Sequence, residues 1–466
     1  MLEGKELAAC SDRVEAVPCF RSEGHRPYLK DIGMEPSTST EAVIRRAIEI
    51  DGPITFRRYM EMALYGTPDG YYGSGQERIG TQGDFLTSPQ IHPAFGALVA
   101  RQLEQLWLAM ARPDPFTVVE MGAGTASLAR DILNYSANWS PAFHQALAYT
   151  IVERSTTAEE RQRAAIGALG AIASRVKWRL SPQLDLPEGS LVGCLLSNEL
   201  LDAFPVHRVR TVGGQLHELY VGLKDGNLVD VPGPLSDPTI QRYFDRLGTL
   251  PPEGCTGEVN LDALEWVRAG AQLLARGAAI TFDYGYPAPE LYSARHRDGT
   301  LLCFYRHTLN GDPYARIGRQ DITAHVDFSS ISSEGEEWDL HLVGLTTQRK
   351  FLLAMGADGY LRNLGSAGLR RRDREANAVA IEALLQPEGL GRIGVMIQQK
   401  GVDVFSPAGL SPTGLRPGDL GRDLSIEMSP LLTSRHPRLN APPTEQLAQE
   451  DAEAMWRELM GEEDAL

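Results

Sequence analysis

The sequence predicts an α/β protein whose core is a doubly wound parallel sheet. Three observations carry that expectation. Apolar runs of strand length recur along the chain, several of them end in an acid, and helical patterns separate several of them. One of these runs also leads through two closely spaced glycines into a helical pattern, the strand–turn–helix arrangement of a nucleotide-type site.

In chain order, residues 1–38 show no sustained periodicity and close on Glu35-Pro-Ser-Thr-Ser-Thr40, a flexible lead-in that supplies an N-cap. Residues 39–115 read as an N-terminal helical region. Ala42, Val43, Ile44, Ala47 and Ile48 recur at helical spacing, a second helix covers Phe56 to Leu64, and a third runs from Pro93 through Trp107. The polar, Gly-rich stretch from Gly66 to Pro89 is long enough to be a functional loop over a site. Residues 116–404 form the core, with strands expected at Phe116–Glu120, Ala148–Glu153, Val176–Leu180, Ser190–Ser197 and Ala278–Asp283, and a late one at Gly391–Gln399. Inserts at about 206–260 and 287–330 form a cap. In the first, Val206–Val231 reads as antiparallel strands around a Val212-Gly-Gly-Gln215 hairpin turn. The second, Pro287–Asp327, is polar, aromatic and loop-rich. Residues 405–466 accumulate Pro, Gly and Ser, which predicts a mobile tail with one short helix near Glu445–Met460.

Composition narrows the class. With 466 residues the chain has ample material for two or three structural units. A net charge of −16 argues against broad phosphate neutralisation, and so against nucleic-acid binding; it suits a basic protein partner as well as plain solubility. The five cysteines are scattered and never spaced as Cys-x-x-Cys, so a disulfide framework or metal site is not expected and a reducing bacterial cytoplasm is. No apolar run approaches the roughly 20 residues that a membrane span needs. The N-terminal residues Met-Leu-Glu-Gly-Lys-Glu-Leu do not read as a signal peptide or a mitochondrial presequence.

The chemistry starts at Phe116-Thr-Val-Val-Glu120-Met-Gly122-Ala-Gly124-Thr-Ala-Ser127. A pyrophosphate fingerprint needs a third glycine where Ser127 stands, and the carboxylate of Glu120 would repel a dianion. That disfavours a nicotinamide dinucleotide. S-adenosylmethionine, with an ammonium, a sulfonium and a ribose diol, matches both features. Glu153 ends the second strand, where a carboxylate accepts both ribose hydroxyls or caps the following helix. In Leu195-Leu-Ser-Asn198-Glu199-Leu-Leu-Asp202-Ala-Phe-Pro205 an apolar strand opens into an amide and two acids. Ligands bind outside such strand ends, which places Asn198 at the cofactor and Glu199 at the acceptor. Carboxylates there would hold a guanidinium bidentately and aim one nitrogen. Asp202 reads equally as a site residue and as a helix cap.

At this point the chain resembles the MidA family of S-adenosylmethionine-dependent methyltransferases, which includes a mitochondrial complex I assembly factor. The segments that carry the resemblance are Ala63-Leu-Tyr-Gly66, Gly70-Tyr-Tyr-Gly73, Gly83-Asp-Phe-Leu-Thr-Ser-Pro89, Glu120-Met-Gly-Ala-Gly124 and Ser197-Asn-Glu-Leu-Leu-Asp-Ala-Phe-Pro-Val206. Further on come Phe282-Asp-Tyr-Gly285, Tyr305-Arg-His307, Asp321-Ile-Thr-Ala-His-Val-Asp-Phe328, Thr347-Gln348 and Phe351-Leu-Leu353. They keep family order from about residue 40 to 402. The resemblance implies a class I, Rossmann-like, seven-stranded methyltransferase sheet with an α+β cap. It also implies symmetric dimethylation of a protein arginine, a respiratory complex I subunit being the acceptor of the mitochondrial relative. Two departures stand out. The family reads Gly-Pro-Gly-Arg-Gly where this chain has Gly122-Ala-Gly-Thr125-Ala126, so a methyl at 126 is expected to tighten the approach to the ligand. It reads Ser-Pro-Glu where this chain has Ser88-Pro89-Gln90.

The resemblance also brings in the loop around Asp84, with Asp84 reaching the cofactor and Thr87 and Ser88 offering hydroxyls, against an Asx-turn and helix cap before Pro89. His325 and Asp327 alternate, so an extended backbone puts both on one face, as an acid/base pair or as a structural hydrogen bond. Tyr284 reads as rim or packing, and Arg306 as an anchor for an acidic group or a surface pair. Three functions stay open: a protein-arginine methyltransferase, a binding or assembly protein that keeps the fold without turnover, and a methyltransferase of small molecules or peptides. The oligomeric state is open too, a homodimer being one option.

Overall fold

The computed structural model describes residues 39–66, 70–73, 86–306, 308–402, 405–416, 418–424 and 427–432. The lead-in 1–38, Asp84 and the helix expected near Glu445–Met460 lie outside the described residues.

Seven strands form the central sheet: β1 (Phe116–Met121), β2 (Leu147–Glu153), β3 (Val176–Leu180), β4 (Leu191–Asn198), β5 (Leu274–Asp283), β6 (His341–Thr347) and β7 (Gly394–Lys400). Their spatial order is β6-β7-β5-β4-β1-β2-β3. The pairs β5–β4, β4–β1, β1–β2 and β2–β3 are parallel, which brings the carboxyl ends of β1, β2, β4 and β5 to one rim. The order reverses between β1 and β4, and a crevice opens at such a switch point. The class I sheet implied by the resemblance is therefore present. The wholly parallel sheet expected from the strand pattern is not: β7 runs antiparallel to both β5 and β6. Strand periodicity carries no information about direction, so the sequence pattern could not reveal this.

The period of two along each strand divides the core. Val118, Tyr149, Ile151, Cys194, Leu196, Ile280 and Phe282 face α3 (Ala94–Ala109) and α4 (Ser127–Trp139). Val119, Met121, Val152, Leu195 and Ala279 face α6 (Leu261–Leu273) and α7 (Phe328–Glu337). Helix α5 (Thr156–Gly167) follows β2, with Ser155 Oγ accepting from Ala158 N at its N-terminus.

A second, antiparallel sheet sits over the rim. His207–Val212 and Gln215–Lys224 pair around Gly213 and Gly214, whose φ values of 59° and 72° are those of the tight hairpin turn read from the sequence. Asn227–Gly233, Thr256–Val259 and the short strand Ile54–Thr55 complete it. Helices α1 (Thr40–Asp51) and α2 (Phe56–Tyr65) pack on this sheet and on the insert strands Leu302–Tyr305 and Asp321–Thr323, sharing a core of Ile44, Phe56, Val221, Cys303 and Ile322.

The mobile tail expected from residue 405 is, in its described part, packed against the core. Arg101 of α3 and Glu427 form a buried ion pair at 2.7 Å. Arg101 also donates to Met355 O at 2.6 Å, Tyr135 donates to Glu427 at 2.8 Å, and Arg422 bonds both Glu427 and Glu104. Loop-like composition hid this because the anchors are scattered charges and single apolar residues, such as Phe405, Ala408 and Leu432, rather than an apolar period.

Candidate active site

The turn after β1 brings left-handed backbone to alternate residues, with φ 70° at Gly122, 54° at Gly124 and 58° at Ala126. Gly122 N donates to Val152 O (3.0 Å), Ala126 N to Ala123 O (2.7 Å), and Gln162 of α5 reaches Gly124 O (3.1 Å). The two glycines adopt this backbone at little steric cost, while Ala126 bears about 1–2 kcal/mol for it. Its methyl does not tighten the ligand's approach as expected. It is fully buried in the apolar core beneath α3 and α4.

Glu120 lies on the same sheet face as Val118, and Tyr149 lies across from Val118 on β2. The Tyr149 hydroxyl donates to Glu120 Oε2 at 2.7 Å. Burial outweighs that bond and the neighbouring charge of Glu153 adds to it, so the carboxyl is pushed up to about 7. Glu153, also buried, accepts from Arg154 N (2.8 Å) and Ser155 N (3.0 Å) with Oε1 and from Gln162 Nε2 (2.7 Å) with Oε2. It thus braces the start of α5. A carboxylate oxygen has two lone pairs, so Oε2 keeps capacity toward a ribose hydroxyl.

At the end of β4, Asn198 donates Nδ2 to Glu199 Oε1 (3.2 Å), and its own Oδ1 is a buried acceptor with no partner among the described residues. Such an atom calls for a donor. Glu199 bends the chain with φ 48° and also accepts from Ser88 N at 3.3 Å. Burial first, then the charge of Asp202, raises Glu199 to about 8. Asp202 is driven well above the usual carboxylate range by burial and by Asp283 and Asp321. Asp283, fully buried, goes up to about 7 through burial, against the bonds it accepts from Leu201, Leu200 and Tyr284 N–H. Asp321 accepts from the Tyr72 hydroxyl with both oxygens (3.0 and 2.9 Å). Tyr72 stacks on Tyr65 at 5.3 Å, and the Arg154 guanidinium lies 4.1 Å from the Tyr65 ring centre. The cap and the cofactor rim are therefore joined directly.

Ser88 and Thr87 reach the site differently than expected. The Ser88 hydroxyl is fully buried and donates to Gln348 Oε1 (2.9 Å), so its backbone N–H, and not its hydroxyl, meets Glu199. Thr87 caps the short helix Ser88–Ile91, and Gln90 Oε1 accepts from Thr87 N at 3.3 Å. Only an acceptor oxygen is used there, so the amide at 90 supplies what a glutamate would.

The His325–Asp327 pair does not form. Asp327 caps α7, accepting from Ser329 N (2.9 Å) and Ser330 N (3.2 Å), and takes the Tyr243 hydroxyl at 2.7 Å. His325 is stacked on Tyr284 at 6.3 Å and set edgewise to Tyr286 at 5.4 Å, and its Nδ1 has no hydrogen-bond partner among the described residues. Burial, with Arg392 and His296 nearby, lowers it to about 3, so it is neutral at any physiological pH. The short strand there holds only Val326 and Asp327, and the helix start that follows claimed the aspartate. Arg306 lies 5.3 Å from the ring centre of Tyr305 in the cap.

Sequence reasoning missed Tyr149, Gln162 and Asp321. Asp321 opens one of the segments that carry the resemblance read from the sequence. The other two are interior strand and helix residues that only the fold brings to the turn.

The rim fits S-adenosylmethionine. Left-handed backbone lies at Gly122 and Gly124, the Asn198 amide oxygen has no partner among the described residues, and Glu153 keeps acceptor capacity at Oε2, with further acids beyond. Comparison with known proteins agrees. Residues 98–346 match a family model described as "Putative S-adenosyl-L-methionine-dependent methyltransferase". The protein arginine methyltransferase NDUFAF7 homolog of Drosophila melanogaster, a mitochondrial protein, is 30% identical over 373 residues, covering 75% of this chain and 82% of its own. Its Mus musculus counterpart is 28% identical over 392 residues, covering 77% and 85%. A Burkholderia thailandensis crystal structure bound to S-adenosyl-homocysteine superposes with a TM-score of 0.70 at 31% identity, covering 85% of this chain and 98% of that one. The chain belongs to the family of S-adenosyl-L-methionine-dependent methyltransferases, and S-adenosyl-L-methionine is its cofactor.

Proposed function

We propose that this enzyme N-methylates an arginine side chain of a protein. The observation that carries the reading is the set of acids beyond the cofactor rim. Glu199, Asp202 and Asp283 are all raised by burial and by neighbouring acids, and Asp321 adds to the rise of Asp202. Such a set is stabilised by a cation entering among them, and a guanidinium offers five donors in a planar fork. The names of the curated relatives, protein arginine methyltransferases, support the same acceptor.

S-adenosyl-L-methionine supplies an electrophilic methyl group on a sulfonium. Glu153 and Asn198 would hold the ribose and a donor of the ligand, and Gly122 and Gly124 give the backbone room to approach. Glu199 and Asp202 would pair with the guanidinium, turning one nitrogen toward the methyl carbon. Transfer would break the methyl–sulfur bond, its electron pair staying on sulfur to leave S-adenosyl-homocysteine, while the nitrogen would lose a proton that the nearer carboxylate would take up and pass to solvent. Ser88 N–H and Asn198 Nδ2 fix Glu199 Oε1, so the acceptor meets a group already oriented.

The family resemblance adds a respiratory complex I subunit as acceptor. Among the described residues Cys194, Cys255 and Cys303 are buried free thiols, which supports a reducing bacterial cytoplasm. Among the described residues no helix is long and apolar enough to cross a membrane. The test is incubation of the enzyme with labelled cofactor and a bacterial lysate, followed by mass spectrometry of labelled protein. Methylarginine supports the reading; label confined to low-mass species, or to other residues, overturns it.

A further inference from the structure

The turn Asn198–Asp202 holds a non-glycine residue, Glu199, at φ 48°. Left-handed backbone at such a residue persists only where its surroundings over-determine it. The source of that constraint is two successive residues at the end of β5. Glu199 N donates to Phe282 O at 2.8 Å. Leu200 N and Leu201 N both donate to Asp283 Oδ2, at 3.2 and 2.8 Å. Asp283 Oδ1 is itself fixed by Tyr284 N at 3.0 Å, and the side chain is fully buried. On the far side of the turn, Asn260 Nδ2 holds Leu201 O at 2.8 Å and Ala324 N holds Asp202 O at 3.0 Å.

We propose that Asp283 is a positioning residue for methyl transfer: its carboxylate fastens the Glu199–Asp202 turn so that both acids face the acceptor. The inference rests on Glu199 being an acceptor-binding group. The chemistry requires a carboxylate at 283, because three backbone N–H groups converge on two oxygens. An asparagine has one acceptor oxygen, and its NH2 would confront either Tyr284 N–H or the Leu200 and Leu201 pair. A glutamate carries the oxygens one methylene too far. Asp283 also faces the charges of Glu199 and Asp202, so loosening it releases the turn that keeps these groups apart.

The experiment is a double-mutant cycle on turnover with D283N, E199Q and D283N/E199Q, with calorimetric titration of S-adenosyl-L-methionine into each. D283N is expected to lower kcat about a hundredfold, the scale of an ångström-size misplacement, with the cofactor Kd little changed. The double variant is expected to lose much less than the product of the two single losses, because most of the loss at 283 acts through 199 and only the misplacement of Asp202 remains. Losses that multiply, or D283N turning over like wild type while E199Q is impaired, overturn the proposal. Wild-type turnover by E199Q overturns the reading of Glu199 and this inference with it. Amide hydrogen exchange of the unsubstituted protein reads the same hold. Slow exchange at Leu200 and Leu201 is expected, and exchange at the rate of unprotected amides contradicts it.

Discussion

Tyr149 donates its hydroxyl to Glu120 at 2.7 Å across the β1–β2 ladder, a bond that favours the ionised form of an acid that burial drives toward neutrality. Burial raises Glu120 to about 7 and the tyrosine works against that rise. Below that pH the carboxyl is neutral, so affinity for the cationic cofactor is expected to fall as pH drops through about 7. Y149F should move that fall to higher pH, which calorimetric titrations across the neutral range will show. The stability contribution has the opposite sign. The folded value lies above the unfolded one, so the contribution is complete below the unfolded pKa and lost as pH rises through about 7.

The acceptor side titrates higher. Glu199, at about 8 in the free enzyme, must be ionised to pair with a guanidinium that stays charged throughout. We expect kcat/KM for the acceptor to rise with pH and level off above about 8. E199Q should remove that limb and lower kcat/KM by about a hundredfold or more, the range of a lost charge-assisted pair.

Gly122 stands at φ 70°, and a β-carbon there would come within 2.8 Å of Leu200 Cδ1. The flexible leucine can move, so the backbone carries most of the penalty. G122V is expected to let the free turn relax out of its left-handed backbone and so to weaken cofactor binding about tenfold, the scale of the roughly 1–2 kcal/mol needed to restore that backbone on binding. Calorimetry reads it directly, with circular dichroism confirming the fold.

The described residues after 405 are held to the folded core through Arg101 and Glu427. E427Q leaves the Arg101 guanidinium buried beside a neutral amide, a change of about 3–5 kcal/mol when one partner of a buried pair is removed. Urea titration should show that loss. A stability within error of wild type would mean that the tail does not pack in solution.

Much of the framework was legible from residues alone. Glu120 and Glu153 stand among the last residues of β1 and β2 because an apolar run must stop where it meets a polar crevice, and Gly213-Gly214 announced its hairpin through the backbone it permits. Other features depend on contacts between distant segments, which no local pattern encodes. The direction of β7, the role of Asp283 and the tether at Glu427 are of that kind. His325 and Asp327 show the same limit from the other side: alternation placed them together, and a helix N-terminus drew the aspartate away. Ala126 departs from the family in sequence but not in backbone, because its methyl found room in the core.

The central claim is transfer of a methyl group from S-adenosyl-L-methionine to a protein arginine at the Glu199–Asp202 turn. The most direct measurement is labelled-cofactor methylation of lysate protein by wild-type enzyme and E199Q in parallel, read by fragmentation mass spectrometry of the labelled peptide. The account predicts methylarginine with the wild type and at least about a hundredfold less with E199Q. Equal labelling by both proteins, or label on any residue other than arginine, would contradict it.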